Sequence, residues 1–196
     1  MPAPADLLRR IRENADLAAF LAEFPEFDVN RHEPRDEPRI ASGAPLHAIA
    51  GDFTGGMFYL CGDEPSTQPV LYASSEGEAG VIAPSLPEAL DILIGLPYWR
   101  DCLTYSADGD LDTMQSAATL LQQDLSQDHP EANAAQTHAA ELIGSIRQTV
   151  TELVQRLHTA VSGAGPEFAF TDATGEYGGL FGPFEPSRNS RWEGRL

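Results

Sequence analysis

The chain has no lysine, and its positive charge comes only from 12 arginines among 196 residues. Its 30 acidic residues outnumber them, and the formal net charge is −18. A protein that holds nucleic-acid phosphates needs clustered Lys and Arg, and 12 arginines set among 30 acidic residues do not supply such a surface. The same balance argues against docking on an anionic membrane. The composition therefore predicts that neither nucleic acid nor a membrane is a partner.

Long apolar runs and cysteine pairs are also scarce. Asp6 and three arginines interrupt the N-terminal 24 residues, so no signal peptide is predicted. The longest nearly uncharged apolar stretch, residues 92–99, is much too short to span a bilayer. Cys61 and Cys102 lack C-x-x-C spacing and lie in apolar surroundings, which is typical of reduced core cysteines. We therefore expect a soluble, cytoplasmic protein.

The negative charge is unevenly distributed along the chain. Residues 52–146, the acidic stretch, contain 15 acidic residues and one basic residue, Arg100, and so carry −14. The other 101 residues contain 15 acidic and 11 basic residues and carry −4. An acidic face increases solubility, and it can also attract and orient a basic partner. Both interpretations of the acidic stretch stay open at this point.

At a length of 196 residues, the chain is expected to form one domain, or one domain with an appended piece. Apolar residues make up 42% of the chain, which is enough for a packed core. Short apolar runs separated by Gly- and Asp-rich turns predict an antiparallel meander over residues 46–83. An amphipathic helix is predicted over residues 6–24, and Ser85 with Glu88 begins another helix as a capping box.

A helical extension is predicted over residues 110–162. Asp112 is predicted to cap its first helix, which ends near His129 and Pro130. A long C-terminal amphipathic helix over residues 130–161 is then predicted from an apolar stripe of helical spacing: Ala135, Ala139, Leu142, Ile146, Val150, Leu153, Leu157 and Val161. This stripe packs either on the rest of the chain or on a second copy as a dimer seam. The basic tail, residues 183–196, is either docked or flexible.

The acidic motifs do not match a metal site. Asp108, Asp110 and Asp112 have the spacing that opens a calcium loop. Thr113 and Thr119, however, stand where that loop needs Gly and a bidentate Glu. The five histidines show no metal-ligand spacing. No metal is therefore predicted.

Catalytic patterns are equally weak. Glu76 and Glu78 lie two residues apart in a Gly-rich turn, where solvent surrounds both carboxylates and neither is suited to acid–base work. No nucleophile elbow surrounds a Ser or Cys, and the phosphate-binding Lys of a P-loop is missing. We therefore predict a protein that is not an enzyme and needs no cofactor.

A resemblance to a known family covers residues 46–103. It is carried by LHAIAGDFTGGMFYLCG and then by PVLYASSEGEAGVIAPSLPEALDILIGLPYW. These segments show a strand, a Gly-rich turn with an acidic residue, two further strands, a turn and a Ser-capped amphipathic helix. In this order they resemble the SUKH superfamily, the yeast cell-wall-regulator-like domains that are abundant in bacteria. The resemblance implies an α+β fold, in which a curved, mostly antiparallel sheet is flanked by helices and residues 1–196 form a single SUKH-like domain. It also implies a binding role.

Many bacterial members of that superfamily look like immunity proteins that neutralise toxins of bacterial competition, often nucleases. A nuclease is basic where it holds phosphate, so an acidic inhibitor would gain association rate and specificity. We therefore predict an immunity protein that binds a basic toxin domain. The predicted partner-binding residues are exposed acids of the acidic stretch, called here the seven acids: Asp63, Glu64, Glu76, Glu78, Asp108, Asp110 and Asp112.

Other residues of the same region are predicted to be structural. Asp52, Phe53, Gly55 and Gly56 are predicted to fix a turn. Tyr98 and Trp99 lie either in the core, which we favour, or at an interface as aromatic anchors. The alternative function is a homodimeric structural or regulatory adaptor that uses the helix at residues 130–161.

Overall fold

The computed structural model describes residues 3–34, 37–64, 68–145 and 148–195, and these ranges form helices and two antiparallel sheets. The helices are α1 (Pro4–Glu13), α2 (Ala15–Glu23), α3 (Leu86–Gly95), α4 (Trp99–Thr104), α5 (Leu111–Asp128), α6 (Ala132–Ile143) and α7 (Val150–Gly163). The strands are β1 (Arg39–Ile40), β2 (Leu46–Gly51), β3 (Met57–Cys61), β4 (Val70–Ala73), β5 (Ala79–Ala83), β6 (Phe170–Asp172) and β7 (Gly175–Glu176). The predicted α+β class is confirmed. None of the described helices combines the length and the apolar character needed to cross a membrane.

The predicted meander is confirmed as a four-stranded antiparallel sheet in the order β2-β3-β4-β5. Its two central strands are apolar at nearly every position because both faces of the sheet are covered. On one face, Phe58 and Tyr72 pack among the helices in the main core. On the other face, Tyr59 packs on Phe170 of the smaller sheet, β1-β6-β7, with ring centroids 5.8 Å apart. The four-stranded sheet is therefore the middle layer of the fold.

Both cysteines are buried and unpaired, as predicted. Cys61 lies at the end of β3, under the smaller sheet, and Cys102 lies on α4 within the main core. Burial raises the pKa of the Cys61 thiol to about 12. Cys102 is also shifted upward in pKa by burial, so both side chains stay in the thiol form and serve as small apolar groups.

The N-terminal prediction of one helix over residues 6–24 is wrong, because Asn14 divides the segment into α1 and α2. The side chain of Asn14 accepts a hydrogen bond from the backbone N–H of Leu17 at 3.0 Å and caps α2. Asn favours such caps since its short side chain can satisfy a free N–H of the first turn. α2 then ends just before Pro25.

The caps around α3 and α5 give one confirmed and one corrected prediction. Ser85 caps α3 by accepting the backbone N–H of Glu88, as predicted. The Glu88 carboxylate, however, accepts the Ser85 hydroxyl at 3.2 Å rather than the Ser85 backbone N–H, so the reciprocal half of the predicted capping box is not formed. The cap of α5 is Asp110, whose carboxylate accepts the backbone N–H of Thr113 at 2.8 Å. The prediction that Asp112 caps this helix is therefore wrong by two residues. Asp112 lies in the first turn, where a carboxylate still favours the helix dipole.

The single long helix predicted over residues 130–161 is also wrong. α6 ends at Gly144, which has a φ of 73°, and the N–H of Ser145 bonds back to the carbonyl of Ala140 at 2.9 Å. α7 then begins at a capping box formed by Thr149 and Glu152. The stripe residue Ile146 lies outside the described residues. A C-cap and a new N-cap thus interrupt a periodic pattern that otherwise continues through both helices.

The apolar stripe of α6 and α7 faces the chain's own core. Ala139, Leu153 and Leu157 are buried in the main core, and Leu142 and Val150 pack at its edge. Leu153 lies so close to α3 that a Cβ at Gly95 would be 2.1 Å from its Cδ1 atom. The interpretation of the stripe as packing on the rest of the chain is therefore confirmed for these residues.

The C-terminal tail is docked over residues 183–195. It forms two short 3₁₀ turns, at Pro186–Arg188 and Ser190–Trp192. Trp192 is fully buried, and its indole N–H donates to the Asp124 carboxylate on α5 at 2.7 Å. The tail thus extends the core beyond α5.

We expect the Gly144→Ala variant to lower the free energy of unfolding by about 1 kcal/mol, because an L-residue is strained at positive φ. Urea denaturation would measure this change. Gly163→Ala is the matched control, since Gly163 ends α7 with open space around it and has no positive φ. An unchanged midpoint for Gly144→Ala would contradict the left-handed cap between α6 and α7.

Candidate functional site

Among the residues that the structure describes, the polar side chain with the most hydrogen bonds is that of Asp52, in the loop between β2 and β3. One oxygen of Asp52, Oδ1, accepts the backbone N–H groups of Thr54, Gly55 and Gly56, each at 2.8 Å. The Thr54 hydroxyl donates to the same oxygen at 2.9 Å. A Cβ on Gly56 would lie 2.5 Å from the other oxygen of Asp52, so only glycine fits there. The predicted role of Asp52, Gly55 and Gly56 in fixing the turn is confirmed.

Phe53, in the same loop, does not help to fix the turn, and that prediction is wrong. Its side chain is 55% exposed, and the guanidinium carbon of Arg31 lies 5.0 Å from its ring centroid. The loop is closed by the carboxylate of Asp52 rather than by burial of the aromatic ring. Phe53 is therefore presented to solvent on a loop of defined shape.

The second oxygen of Asp52 joins the loop to the helices. Asp52 Oδ2 accepts the Tyr72 hydroxyl at 2.6 Å and Arg100 Nη1 at 3.1 Å. Arg100 Nη1 also donates to the Tyr72 hydroxyl oxygen at 3.1 Å, and Arg100 Nη2 donates to Glu26. We call these four residues the Asp52 cluster. The Asp52 carboxylate thus contacts β4 through Tyr72 and α4 through Arg100, and Arg100 in turn contacts the segment after α2 through Glu26.

The surroundings of Asp52, Tyr72 and Arg100 shift their pKa values in directions that keep each of these three groups in its ordinary protonation state. Burial disfavours the Asp52 carboxylate, but hydrogen bonds from Tyr72, Thr54 and Gly56 outweigh it and lower its pKa. Burial and the hydrogen bond to Asp52 raise the pKa of Tyr72. Burial also opposes the charge of Arg100, but Tyr72, Glu26 and Asp52 outweigh it and raise its pKa. An ionised Asp52 beside a charged Arg100 makes a structural ion pair, and neither group is placed to exchange a proton near neutral pH.

Tyr98 and Trp99 belong to the core beside this cluster, as favoured from the sequence. Trp99 is 1% exposed, its indole N–H donates to the Pro25 carbonyl at 3.1 Å, and its ring stands edge-on to Tyr72 at 5.0 Å. The Tyr98 hydroxyl donates to Gln122 on α5 at 2.7 Å. These contacts fix α4, and with it Arg100, against the sheet.

Two clefts open on either side of the β2–β3 loop, and they share a wall formed by Thr54, Ser74, Ser75 and Glu76. The polar cleft, of about 640 Å³, lies between the segment at residues 30–33 and the smaller sheet. The acidic cleft, of about 590 Å³, lies between α4, the turn after β4 and the segment at residues 179–184. Arg100 and its partner Glu26 line the acidic cleft.

The acidic cleft has an excess of carboxylates. Glu26, Glu76, Glu78 and Asp101 line it, and Arg100 is the single basic residue among its lining residues in the described part of the chain. Arg100 is already paired with Asp52 and Glu26. The ring of Phe184, which is 49% exposed, lies at the edge of this cleft. The cleft therefore offers negative charge and one accessible aromatic ring to a binding partner.

The seven acids are all exposed, but the structure does not bring them onto one surface. Asp63 and Glu64 follow β3, whereas Glu76 and Glu78 follow β4. These two turns lie at opposite ends of the sheet because β3 and β4 are antiparallel neighbours. Only Glu76 and Glu78 belong to the acidic cleft.

The three other acids lie between α4 and the first turn of α5, beside the segment at residues 179–184. The N–H of Asp108 donates to the carbonyl of Gly182 at 2.9 Å, which places Asp108 near the acidic cleft. Asp110 is occupied as the α5 cap. Asp108, Asp110 and Asp112 thus serve local structure, and their exposed side chains add negative charge at this end of the molecule.

Sequence reasoning missed the Asp52 cluster as a unit, because its members lie in four separate segments. Glu26 and Tyr72 carry no motif that points to Asp52. One signal was present: Arg100 is the only basic residue of the acidic stretch, and a lone cation there suggests a specific internal partner.

Comparisons with known proteins do not assign this chain to a family. No family model matches it, and neither the curated proteins nor the solved structures contain a match. The resemblance of residues 46–103 to the SUKH superfamily therefore stays a prediction.

We expect Asp52→Asn to lower the free energy of unfolding by about 3 kcal/mol, since it leaves Arg100 without its buried counter-charge and replaces an acceptor by a donor. Chemical denaturation would measure the loss. Glu26→Gln is the matched control, because Glu26 contacts the same guanidinium but its side chain is 29% exposed, so the loss there should be much smaller. Equal losses in the two variants would contradict a dominant role for Asp52.

The lowered pKa of Asp52 also predicts how stability depends on pH. The folded state releases the Asp52 proton at lower pH than the unfolded state, so this stabilisation is complete above the unfolded pKa of about 3.9 and is lost as the pH falls through the folded pKa. The difference in unfolding free energy between wild type and Asp52→Asn should therefore shrink below about pH 4. A difference that stayed constant on acidification would show that Asp52 is not ionised in the folded protein.

Proposed function

We propose that this chain is a non-enzymatic binding protein, an immunity protein that neutralises a basic, nuclease-like bacterial toxin through the surface around the acidic cleft. The observation that carries the proposal is that Arg100 forms ion pairs with Asp52 and Glu26 within the fold. The surface carboxylates of Glu76 and Glu78 consequently have no arginine within ion-pair distance among the described residues.

The distribution of ion pairs supports this proposal. Other described arginines neutralise acids outside the cleft, as Arg156 does with Glu88 at 2.9 Å and Arg191 does with Asp128 at 2.6 Å. Uncompensated carboxylates in a cleft create a negative potential that extends beyond the surface. A toxin that holds phosphate presents the complementary positive potential, which increases the association rate and disfavours acidic proteins.

The resemblance to the SUKH superfamily supports the same proposal from the sequence. Its implied binding role fits a site whose charged groups form structural pairs rather than an acid–base pair. We place the protein in the cytoplasm, where an immunity protein would meet a nuclease before the nuclease reaches nucleic acid.

The alternative, a homodimeric adaptor that uses residues 130–161, has less support. The dimer seam predicted for this adaptor includes Leu142, Val150 and Leu153, and these side chains pack against the chain's own core. We therefore favour a partner of different sequence.

The proposal predicts that a nuclease-like toxin is encoded beside this gene, and the test uses an inactive form of that toxin as the binding partner. We expect Glu76→Arg with Glu78→Arg to weaken binding by about tenfold or more, mainly through a slower association rate, because close charge pairs are lost and repulsion is introduced. Surface plasmon resonance over a range of salt concentrations would measure both rates. Raising the salt should weaken wild-type binding.

Asp63→Arg with Glu64→Arg is the matched control, because it changes the net charge equally at the opposite end of the sheet. We expect this pair to affect association much less than the pair at the acidic cleft. Equal, small effects of both pairs would refute the acidic cleft as the contact surface. Failure of the wild-type protein to bind or inhibit this toxin would refute the immunity role itself.

A further inference from the structure

The C-terminal tail docks on one face of α5 through its side chains. Trp192 is 0% exposed, and its ring packs on Tyr105 with centroids 4.9 Å apart. Its indole N–H donates to Asp124 Oδ2 at 2.7 Å. The buried tryptophan therefore has both an apolar contact and a charged hydrogen-bond acceptor on the receiving surface.

Two arginines of the tail flank the tryptophan and complete the contact. Arg195 donates to Asp124 Oδ1 at 2.6 Å and to Gln123 at 2.7 Å. Arg191 donates to Asp128 at 2.6 Å. Burial opposes the charge of Asp124, but hydrogen bonds from Arg195 and Trp192 outweigh it and lower the pKa of Asp124. One face of α5 thus recognises an Arg-Trp-x-x-Arg segment.

Beyond Phe184, the described part of the tail is held on the fold by its side chains rather than by its backbone. From residue 185 to residue 195, the described backbone hydrogen bonds are all local, such as Trp192 N–H to Asn189 and Arg195 N–H to Trp192. Within the described ranges, the last long-range backbone hydrogen bond is donated by Ala107 to the carbonyl of Phe184 at 3.0 Å. The tail can therefore leave α5 without breaking any strand or helix.

We propose that the surface formed by Gln123, Asp124 and Asp128 on α5, together with Tyr105 at the end of α4, is a binding surface for a basic partner segment that carries a tryptophan between two arginines, and that the chain's own tail occupies it in the free protein. We call it the latch surface. Because the tail is tethered, it competes at a high effective concentration, so only a segment with matching chemistry displaces it. The tail acts as an autoinhibitory contact.

This surface is distinct from the one in the proposed function. None of the seven acids belongs to it, and none of its four residues lines the acidic cleft. Peptide binding at the latch surface should therefore be unaffected by Glu76→Arg with Glu78→Arg, and the two proposals can fail separately.

The first experiment uses the Trp192→Ala variant of this chain and the synthetic peptide EPSRNSRWEGR, the sequence of residues 185–195, as the probe, which leaves out Phe184 of the acidic cleft. We expect saturable binding with one peptide per chain by isothermal titration calorimetry. Adding Asp124→Asn to this variant should weaken binding by about tenfold or more, because the acceptor of both the indole and Arg195 is altered. Wild-type protein should also bind the peptide about tenfold or more weakly than the Trp192→Ala variant does, because its own tail competes.

Two controls make this result specific. A peptide with alanine in place of its tryptophan should not bind, and Asp112→Asn should leave the affinity unchanged, since Asp112 lies on α5 outside the latch surface. A Trp192→Ala chain that is folded by circular dichroism and fails to bind the peptide would overturn the proposal. Equal binding with and without Asp124→Asn would overturn it as well.

The second experiment keeps Trp192 and covers the case in which Trp192→Ala fails to fold. The two indole N–H groups of the wild-type chain are both buried, but Trp99 donates to a backbone carbonyl and Trp192 to a carboxylate. Excess peptide should accelerate hydrogen exchange at Trp192 and leave Trp99 unchanged, as measured by NMR. Unchanged exchange at both indoles would overturn the proposal.

A wild-type dimer that dissociates on Asp124→Asn would overturn it too, because the occupant would then be the tail of a second copy.

Discussion

One buried carboxylate, that of Asp52, connects more parts of this fold than any other polar group described above. One of its oxygens shapes the β2–β3 loop through three backbone N–H groups, and the other holds Tyr72 on β4 and Arg100 on α4. A buried charge is tolerated only when it is paired and fully hydrogen-bonded, so the loop, the sheet and α4 must assemble together around it. The walls of both clefts depend on this arrangement.

The ion pair between Asp52 and Arg100 also determines which surface carboxylates have no arginine partner. Since Arg100 is used internally, the single cation of the acidic stretch does not neutralise Glu76 or Glu78 at the mouth of the acidic cleft. A second acidic region, on α5, is instead neutralised by Arg191 and Arg195 of the tail. The molecule thus presents one acidic surface that is open and one that is covered by its own arginines.

Two helix boundaries differ from those that the hydrophobic periodicity of the sequence predicts. The apolar stripe of residues 135–161 predicted one helix because α6 and α7 pack on the same core and keep compatible spacing. The stop at Gly144 and the capping box at Thr149 were present in the sequence, and local capping decided the break. The same applies to Asn14, where a short polar side chain divides a continuous amphipathic pattern.

Local sequence was enough to predict the four-stranded meander, the Ser85 cap, the two core cysteines and the turn at Asp52, because each depends on neighbours within a few residues. The α+β class was predicted from the resemblance of residues 46–103 to a known family. Only the tertiary structure decided that Asp52 meets Arg100 and Glu26, that Asp63 and Glu76 lie at opposite ends of the sheet, and that the tail docks on Asp124. These contacts join residues far apart in the chain. Their pairing is selected by burial and by the need to satisfy buried charge, which no local pattern encodes.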